Sequence, residues 1–328
     1  MGLPRVSEFH LAYSRLPSPE PGEVLVRLQY LALDPDVRPR MNASSAGGGP
    51  PLALGEVMEG AAVGQVVQSK DPELRAGDAV EGMLGWQEYA VAGGRDLRKV
   101  TPDAAPLSTA LGVLGLPGLT AYFGLLDVGR PRRGETVVVS GATGAIGMVA
   151  GQIAKLRHCR VVGLAGGRAD ISWLCDELGF DAVGNETVDR LDGELAELCP
   201  DGVDVYFDTV DGATTDAVVR RINAGARICA CGQSSQDNLD QPERGPRWLD
   251  WLTAKQARME GFLVSSYGER FPAARERLGR WLARGGLGYR EEVAQGLEAA
   301  PQAFIRMLRG ESQGHQLVEM WPSRAAAP

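Results

Sequence analysis

The stretch Thr136-Val-Val-Val-Ser-Gly-Ala-Thr-Gly-Ala-Ile-Gly147, continuing into Met148-Val-Ala-Gly-Gln-Ile-Ala-Lys-Leu156, decides the fold. A β-favouring run ends abruptly at Gly141, Gly144 and Gly147, after which small and apolar residues recur at helical spacing. The segment therefore reads as strand, tight turn and helix. Such a turn leaves backbone N–H groups free at a helix N-terminus, where they and the helix dipole favour an anion such as a pyrophosphate. A second strand-like run, Arg160-Val-Val-Gly-Leu164, follows where a βαβ unit places one. Glycines at this spacing also serve close helix–strand packing by themselves, so the turn points to a nucleotide without proving one.

Downstream, strand patterns at Ala182-Val183, Val203–Asp208, Ala226–Cys231 and Glu260–Val264 alternate with helical ones at Ala169–Leu178, Leu191–Leu198, Thr214–Ile222 and Trp248–Arg258. That succession is the mark of a doubly wound parallel sheet. Upstream the character differs. Strand patterns at Val24–Leu33, Ala61–Val67, Ala79–Met83 and Gln87–Val91 follow one another without intervening helices, which implies a compact β-rich barrel. Helices are expected at Leu107–Leu116 and Thr120–Leu126, separated by Pro117-Gly118. After residue 265, helices at Arg270–Ala283 and Gly296–Leu308 and a strand at Gln316–Trp321 are expected to return to the first domain. The resulting segmentation is a β-rich domain over 1–116, a nucleotide-binding-type domain over 117–265, and a returning segment over 266–328.

Bulk properties narrow the function class. The 328 residues suffice for two cores, and a hydrophobic fraction of 44% with 23% charged residues is that of a globular chain. A net charge of -8 with no dense Lys/Arg run argues against a nucleic-acid partner. No apolar stretch is long enough to cross a bilayer, and Met1–Glu8 lacks the features of a signal peptide. A cytoplasmic protein without a membrane partner is expected. The five cysteines, Cys159, Cys175, Cys199, Cys229 and Cys231, lie in strand or helix patterns and read as reduced thiols. Cys229-Ala-Cys231 alternates faces on a strand and suits no ordinary zinc knuckle.

Several segments together resemble the medium-chain dehydrogenase/reductase superfamily, and within it the zinc-free branch of prostaglandin/leukotriene and curcumin or enone reductases. They are Leu33-Asp-Pro35 with Arg38, Gly55–Gly60, Leu111–Leu126, the glycine turn and Glu177–Asp181. The resemblance implies a GroES-like barrel domain, an inserted Rossmann domain, and an active-site cleft between them. It implies no zinc, because no cysteine precedes Cys159 and His10 and His158 lack partners at ligand spacing. It also implies NADPH or NADH as cofactor, with Gly141, Gly144, Ala145, Ile146 and Gly147 at the pyrophosphate and Gly166, Arg168, Cys231 and Ser312 as further contacts. A homodimer formed edge to edge through Glu260–Val264 is expected by the same analogy.

The chain departs from the resembled pattern at the positions that carry the chemistry. Asp170 and Glu186 stand where relatives place a lysine and a tyrosine near the adenosine 2′-phosphate, and two carboxylates there repel a phosphate. Arg168 is the available compensating cation. Asp237 and Asp36 stand where tyrosines are usual, Asp211 replaces a glycine near the nicotinamide, and Ser312 and His315 replace an amide and an ammonium. Two functions follow. One is an NAD(P)H-dependent reductase of an activated alkene or conjugated carbonyl, with Ser234, Ser235, Tyr267 or water replacing the missing phenol. The other is a non-redox cyclase or isomerase on the same scaffold, its cofactor site lost, acting on a conjugated small molecule through Asp237 and Asp36 or through positioning alone.

Overall fold

The computed structural model describes residues 2–42, 50–101, 105–166, 172–186, 191–239, 241 and 243–321. Apart from the first two residues, the chain divides into two compact units, one of Leu3–Gly112 with Glu291–Pro328 and one of Val113–Arg290.

The first unit opens with β1 (Glu23–Ala32), a short helix α1 (Val37–Arg40), β2 (Ala61–Ser69), β3 (Ala79–Met83), β4 (Tyr89–Gly93) and β5 (Arg98–Val100). Val24, Val26, Leu28 and Leu31 of β1 are buried with Val66 and Val80 in one apolar cluster, so β1 is the spine of the sheet. It pairs antiparallel with β2 along one edge and with β4 along half of the other.

The second unit begins with α2 (Leu116–Phe123), which runs into a π-helical turn over Gly124–Gly129. The expected break at Pro117-Gly118 is instead the start of this helix. Proline occupies its first turn, where the missing N–H costs nothing. Then come β6 (Thr136–Val139), α3 (Gly147–Leu156), β7 (Arg160–Ala165), α4 (Ser172–Asp176), β8 (Ala182–Asn185), α5 (Leu191–Leu198), β9 (Val203–Asp208), α6 (Ala213–Val219), β10 (Ile222–Ala230), α7 (Leu249–Lys255), β11 (Arg258–Gly261) and α8 (Phe271–Ala283). The strand order is β11-β10-β9-β6-β7-β8, every pair parallel. Counted from β6 this is the dinucleotide-binding order 3-2-1-4-5-6. Side chains alternate between two cores. Val137, Val139, Val161 and Phe207 face Met148 and Ile153 on one side, while Val138, Val162 and Tyr206 face Leu195 and Val218 on the other.

The chain then re-enters the first unit with β12 (Glu291–Gln295), α9 (Ala300–Leu308) and β13 (His315–Glu319). The sheet order there is β12-β13-β1-β2-β3-β5, with β4 on β1. The segmentation at residue 265 is corrected here. Ala274 and Leu278 of α8 are buried in the core of the parallel-sheet unit, so the return comes only after Arg290. The five cysteines form no disulfide, with Cys159, Cys199 and Cys229 buried and Cys175 and Cys231 half-buried.

Candidate functional site

The parallel sheet reverses its strand order between β6 and β9, and ligands of such sheets bind beyond the carboxyl ends of the strands at that reversal. The glycine turn lies there. Gly141 adopts φ +55°, and a Cβ on it would stand 2.5 Å from Thr209 Oγ1. A Cβ on Gly147 would collide with the Gly141 carbonyl, so these two glycines are demanded by the chain's own packing. Gly144 differs. A Cβ there meets nothing within 4 Å but the Gly141 carbonyl at 3.2 Å, leaving the backbone open to an approaching group. Ala145 and Ile146 follow it and lead into α3, whose first N–H groups have no acceptor within the helix.

The end of β9 is organised by Asp208, a buried carboxylate that was not among the residues expected at the site. Its Oδ1 accepts from Ser140 Oγ (3.2 Å), Tyr206 Oη (3.0 Å), Val210 N (3.1 Å) and Asp211 N (2.9 Å), and its Oδ2 from Thr215 Oγ1 (2.5 Å). Burial raises its pKa, and the surrounding donors oppose the rise. Ser140 also accepts from Thr209 N at 2.9 Å, which ties the last residues of β6 and β9 together. Asp211 takes the left-handed conformation, φ +63°. Its N–H is committed to Asp208, and its carboxylate forms no ion pair among the described residues.

The loop after β10 is tied to the same place. Cys231 N donates to the Asp208 carbonyl at 2.8 Å, Ser235 N to the Val210 carbonyl at 3.0 Å, and Ser234 Oγ to the Thr209 carbonyl at 3.2 Å. Asp237 is half-buried in the turn that follows. Cys231, Ser234 and Ser235 thus gather with Gly141 and Thr209 at the strand ends.

Glu186, just past β8, reaches back to the turn. Its Oε1 accepts the Gly141 N–H at 2.7 Å. Burial pushes its pKa up to about 7, the Gly141 N–H pulls against that, and Asp208 adds to it. Gly166, one residue past β7, lies beside it, since a Cβ there would be 3.5 Å from Glu186 Oε2. Arg168 and Asp170 lie outside the described residues.

Tyr267 belongs to other company. Its ring stacks on Phe123 at 4.4 Å, the Arg270 guanidinium lies over it, and burial, then Asp127 and Glu260, raise its pKa. With Ala230, Glu260, Phe262, Leu263 and Ser266 it lines a cavity of about 570 Å³ beside β11. None of these neighbours comes from the glycine turn.

In the first unit, Asp36 precedes α1 with an exposed side chain, and the protein around it still raises its pKa by desolvation. Burial and Asp36 push the half-buried Asp34 up to about 7. Ser312 is half-buried in the loop before β13. His315 is buried, and desolvation drives its pKa down to about 4, so it is a neutral imidazole and supplies no replacement for an ammonium. Among the described residues no group of three or more His, Cys, Asp or Glu is placed to hold a metal, and no helix is long and apolar enough to cross a membrane. Ser140, Asp208 and Thr215 were missed in the sequence because only Ser140 adjoins the glycine motif. The usable signal was that Ser140 follows β6 and Asp208 ends β9, the two strands that flank the reversal.

Comparison with known proteins agrees with this layout. Residues 1–100 match the family model described as the N-terminal domain of oxidoreductase, and residues 145–280 the one described as zinc-binding dehydrogenase. The chain is 41% identical to the NADPH-dependent curcumin reductase of Escherichia coli, over 97% of this chain and 94% of that protein. It is 40% identical to prostaglandin reductase 1 of Rattus norvegicus, over 97% and 95%. Among solved structures it resembles CurA from Vibrio vulnificus in complex with NADPH, with a TM-score of 0.92 and 40% identity over 98% of this chain and 97% of that one.

Proposed function

The chain belongs to the zinc-free prostaglandin and curcumin reductase branch of the medium-chain dehydrogenase/reductase superfamily, and from that premise we propose that it reduces the carbon–carbon double bond of a conjugated ketone or aldehyde with a reduced nicotinamide dinucleotide. The observation that carries the reading is the glycine turn at the strand-order reversal, in a chain aligned end to end with reductases of that kind. Gly141 and Gly147 close the turn, and the open face over Gly144, with Ala145 and Ile146, is where a pyrophosphate meets backbone N–H groups. Cys231, Gly166 and Ser312 are the further cofactor contacts of this proposal.

A bound reduced nicotinamide supplies a hydride to the substrate's β-carbon. What remains for the protein is to stabilise the enolate oxygen and deliver a proton to the α-carbon. Asp36 and Asp237 are the proposed donors, in place of the usual phenols. The desolvation that raises the pKa of Asp36 favours the protonated carboxyl, the form that donates a hydrogen bond. Tyr267, packed on Phe123, is the alternative phenol. We also propose a homodimer through β11. It is the terminal strand of its sheet, and the 72% exposed Leu263 follows it closely.

The test mixes the purified chain with NADPH or NADH and a 2-alkenal or enone and follows loss of reduced-nicotinamide absorbance. Turnover that depends on the conjugated double bond supports the proposal. Dinucleotide binding without any turnover across a panel of such substrates overturns it. Asp36→Asn and Asp237→Asn assign the donor, since the true one lowers kcat by about a hundredfold.

A further inference from the structure

We propose that Glu186 determines which dinucleotide the chain prefers, taking the 2′-hydroxyl of an unphosphorylated adenosine ribose and excluding a 2′-phosphate, so that NADH rather than NADPH is favoured. This rests on the reductase reading and adds to it the choice of cofactor.

Three observations carry the assignment. The first is position. In a sheet of this order the adenosine half of a dinucleotide lies over the carboxyl ends of the first strands, and an acidic residue there holds the ribose hydroxyls. Such a residue ordinarily ends the second strand. Here β7 ends in Ala165 and is followed by Gly166, which offers no side chain, and the carboxylate comes from the end of β8 instead. Glu186 reaches the end of β7, since its Oε2 would stand in van der Waals contact, 3.5 Å, with a Cβ on Gly166.

The second is orientation. Oε1 is tied to the Gly141 N–H at 2.7 Å, so the carboxylate is held across the strand ends before any ligand arrives. Oε2 has no hydrogen-bond partner among the described residues and faces the space beside Gly166. A preorganised acceptor with one free oxygen suits a ribose hydroxyl, which donates.

The third is charge. No Lys or Arg pairs with Glu186 among the described residues, and the charge that acts on it is that of another acid, Asp208. A phosphate dianion brought to Oε2 meets repulsion from both. Arg168 lies outside the described residues, and the described ones offer a ribose 2′-hydroxyl an acceptor and a 2′-phosphate no cation.

Equilibrium binding of NADH and NADPH to the full chain, followed by nicotinamide fluorescence, tests the assignment without turnover. NADH should bind at least about tenfold more tightly, and Glu186→Gln should erase most of that ratio by strengthening NADPH binding about tenfold. Adenosine 5′-monophosphate against adenosine 2′,5′-bisphosphate, titrated into the unaltered chain, repeats the measurement without a variant, and the monophosphate should win. Tighter binding of NADPH, or a ratio that Glu186→Gln leaves unchanged, overturns the assignment and leaves the reductase standing. If neither dinucleotide binds, both the assignment and the reductase reading are overturned.

Discussion

The ends of β9 and β8 each carry a carboxylate withdrawn from water, and the two are used in opposite ways. Asp208 has both oxygens occupied by hydroxyl and backbone donors from β6, β9, α6 and the turn between. Glu186 has one oxygen occupied and one open. Desolvation raises both pKa values; several donors oppose it at Asp208, and the Gly141 N–H alone opposes it at Glu186. The number of internal donors, more than burial, separates a carboxylate that builds the scaffold from one held ready for a ligand.

The contrast breaks most visibly on removal of the side chains. Asp208→Ala leaves backbone and hydroxyl donors without an acceptor and should lower unfolding stability by about 3 kcal/mol or more in urea denaturation. A loss under about 1 kcal/mol would make Asp208 a bystander. Gly147→Ala, which drives a Cβ into the Gly141 carbonyl, should cost about 2 kcal/mol. Gly144→Ala should cost under about 1 kcal/mol in the same assay while weakening dinucleotide binding.

Glu186→Gln should act with the opposite sign to Asp208→Ala. The folded pKa of Glu186, about 7, lies above its ordinary value, so the folded chain holds a proton that the unfolded chain releases. Its stability contribution is present in acid and is lost as pH rises from about 4.5 to about 7. Glutamine keeps the acceptor for Gly141 and drops the charge, so the variant should be more stable than the parent near pH 8, by up to about 3 kcal/mol, and close to it near pH 4. Melting curves at the two pH values decide it, and an equal difference at both would mean that Glu186 does not titrate in this range. His315 supplies the mirror case. Its folded pKa of about 4 lies below the ordinary value, so the stability of the neutral imidazole is lost as pH falls from about 6.5 towards 4. His315→Gln should flatten that acid limb.

Much of the architecture was legible beforehand because its signals are local. The β-run before Gly141 and the alternation of strand and helix patterns set the parallel sheet, and Val203–Asp208 was read to the residue. Strands β5 and β12 were not seen. Arg98–Val100 is short, and Glu291-Glu-Val-Ala-Gln295 is polar and needs β13 beside it to exist. The site was legible as a position but not as a network. Asp208 and Ser140 are 68 residues apart, and only the adjacency of β6 and β9 brings them together. Glu186 was expected to oppose a phosphate, which its charge alone indicates. Its bond to Gly141, 45 residues away, could not be inferred from composition or spacing.

The place of β13 in its sheet sets an order of events during synthesis. It lies between β12 and β1, pairing the last described strand of the chain with the first. The unit spanning Val113–Arg290 is one continuous segment and has all its strands once Arg290 has left the ribosome. The other unit must wait, with the Tyr30–Ala32 edge of β1 unpaired, until residues 315–319 emerge to cover it. The nascent chain thus carries an open strand edge through most of its translation, the interval in which chaperone protection counts most.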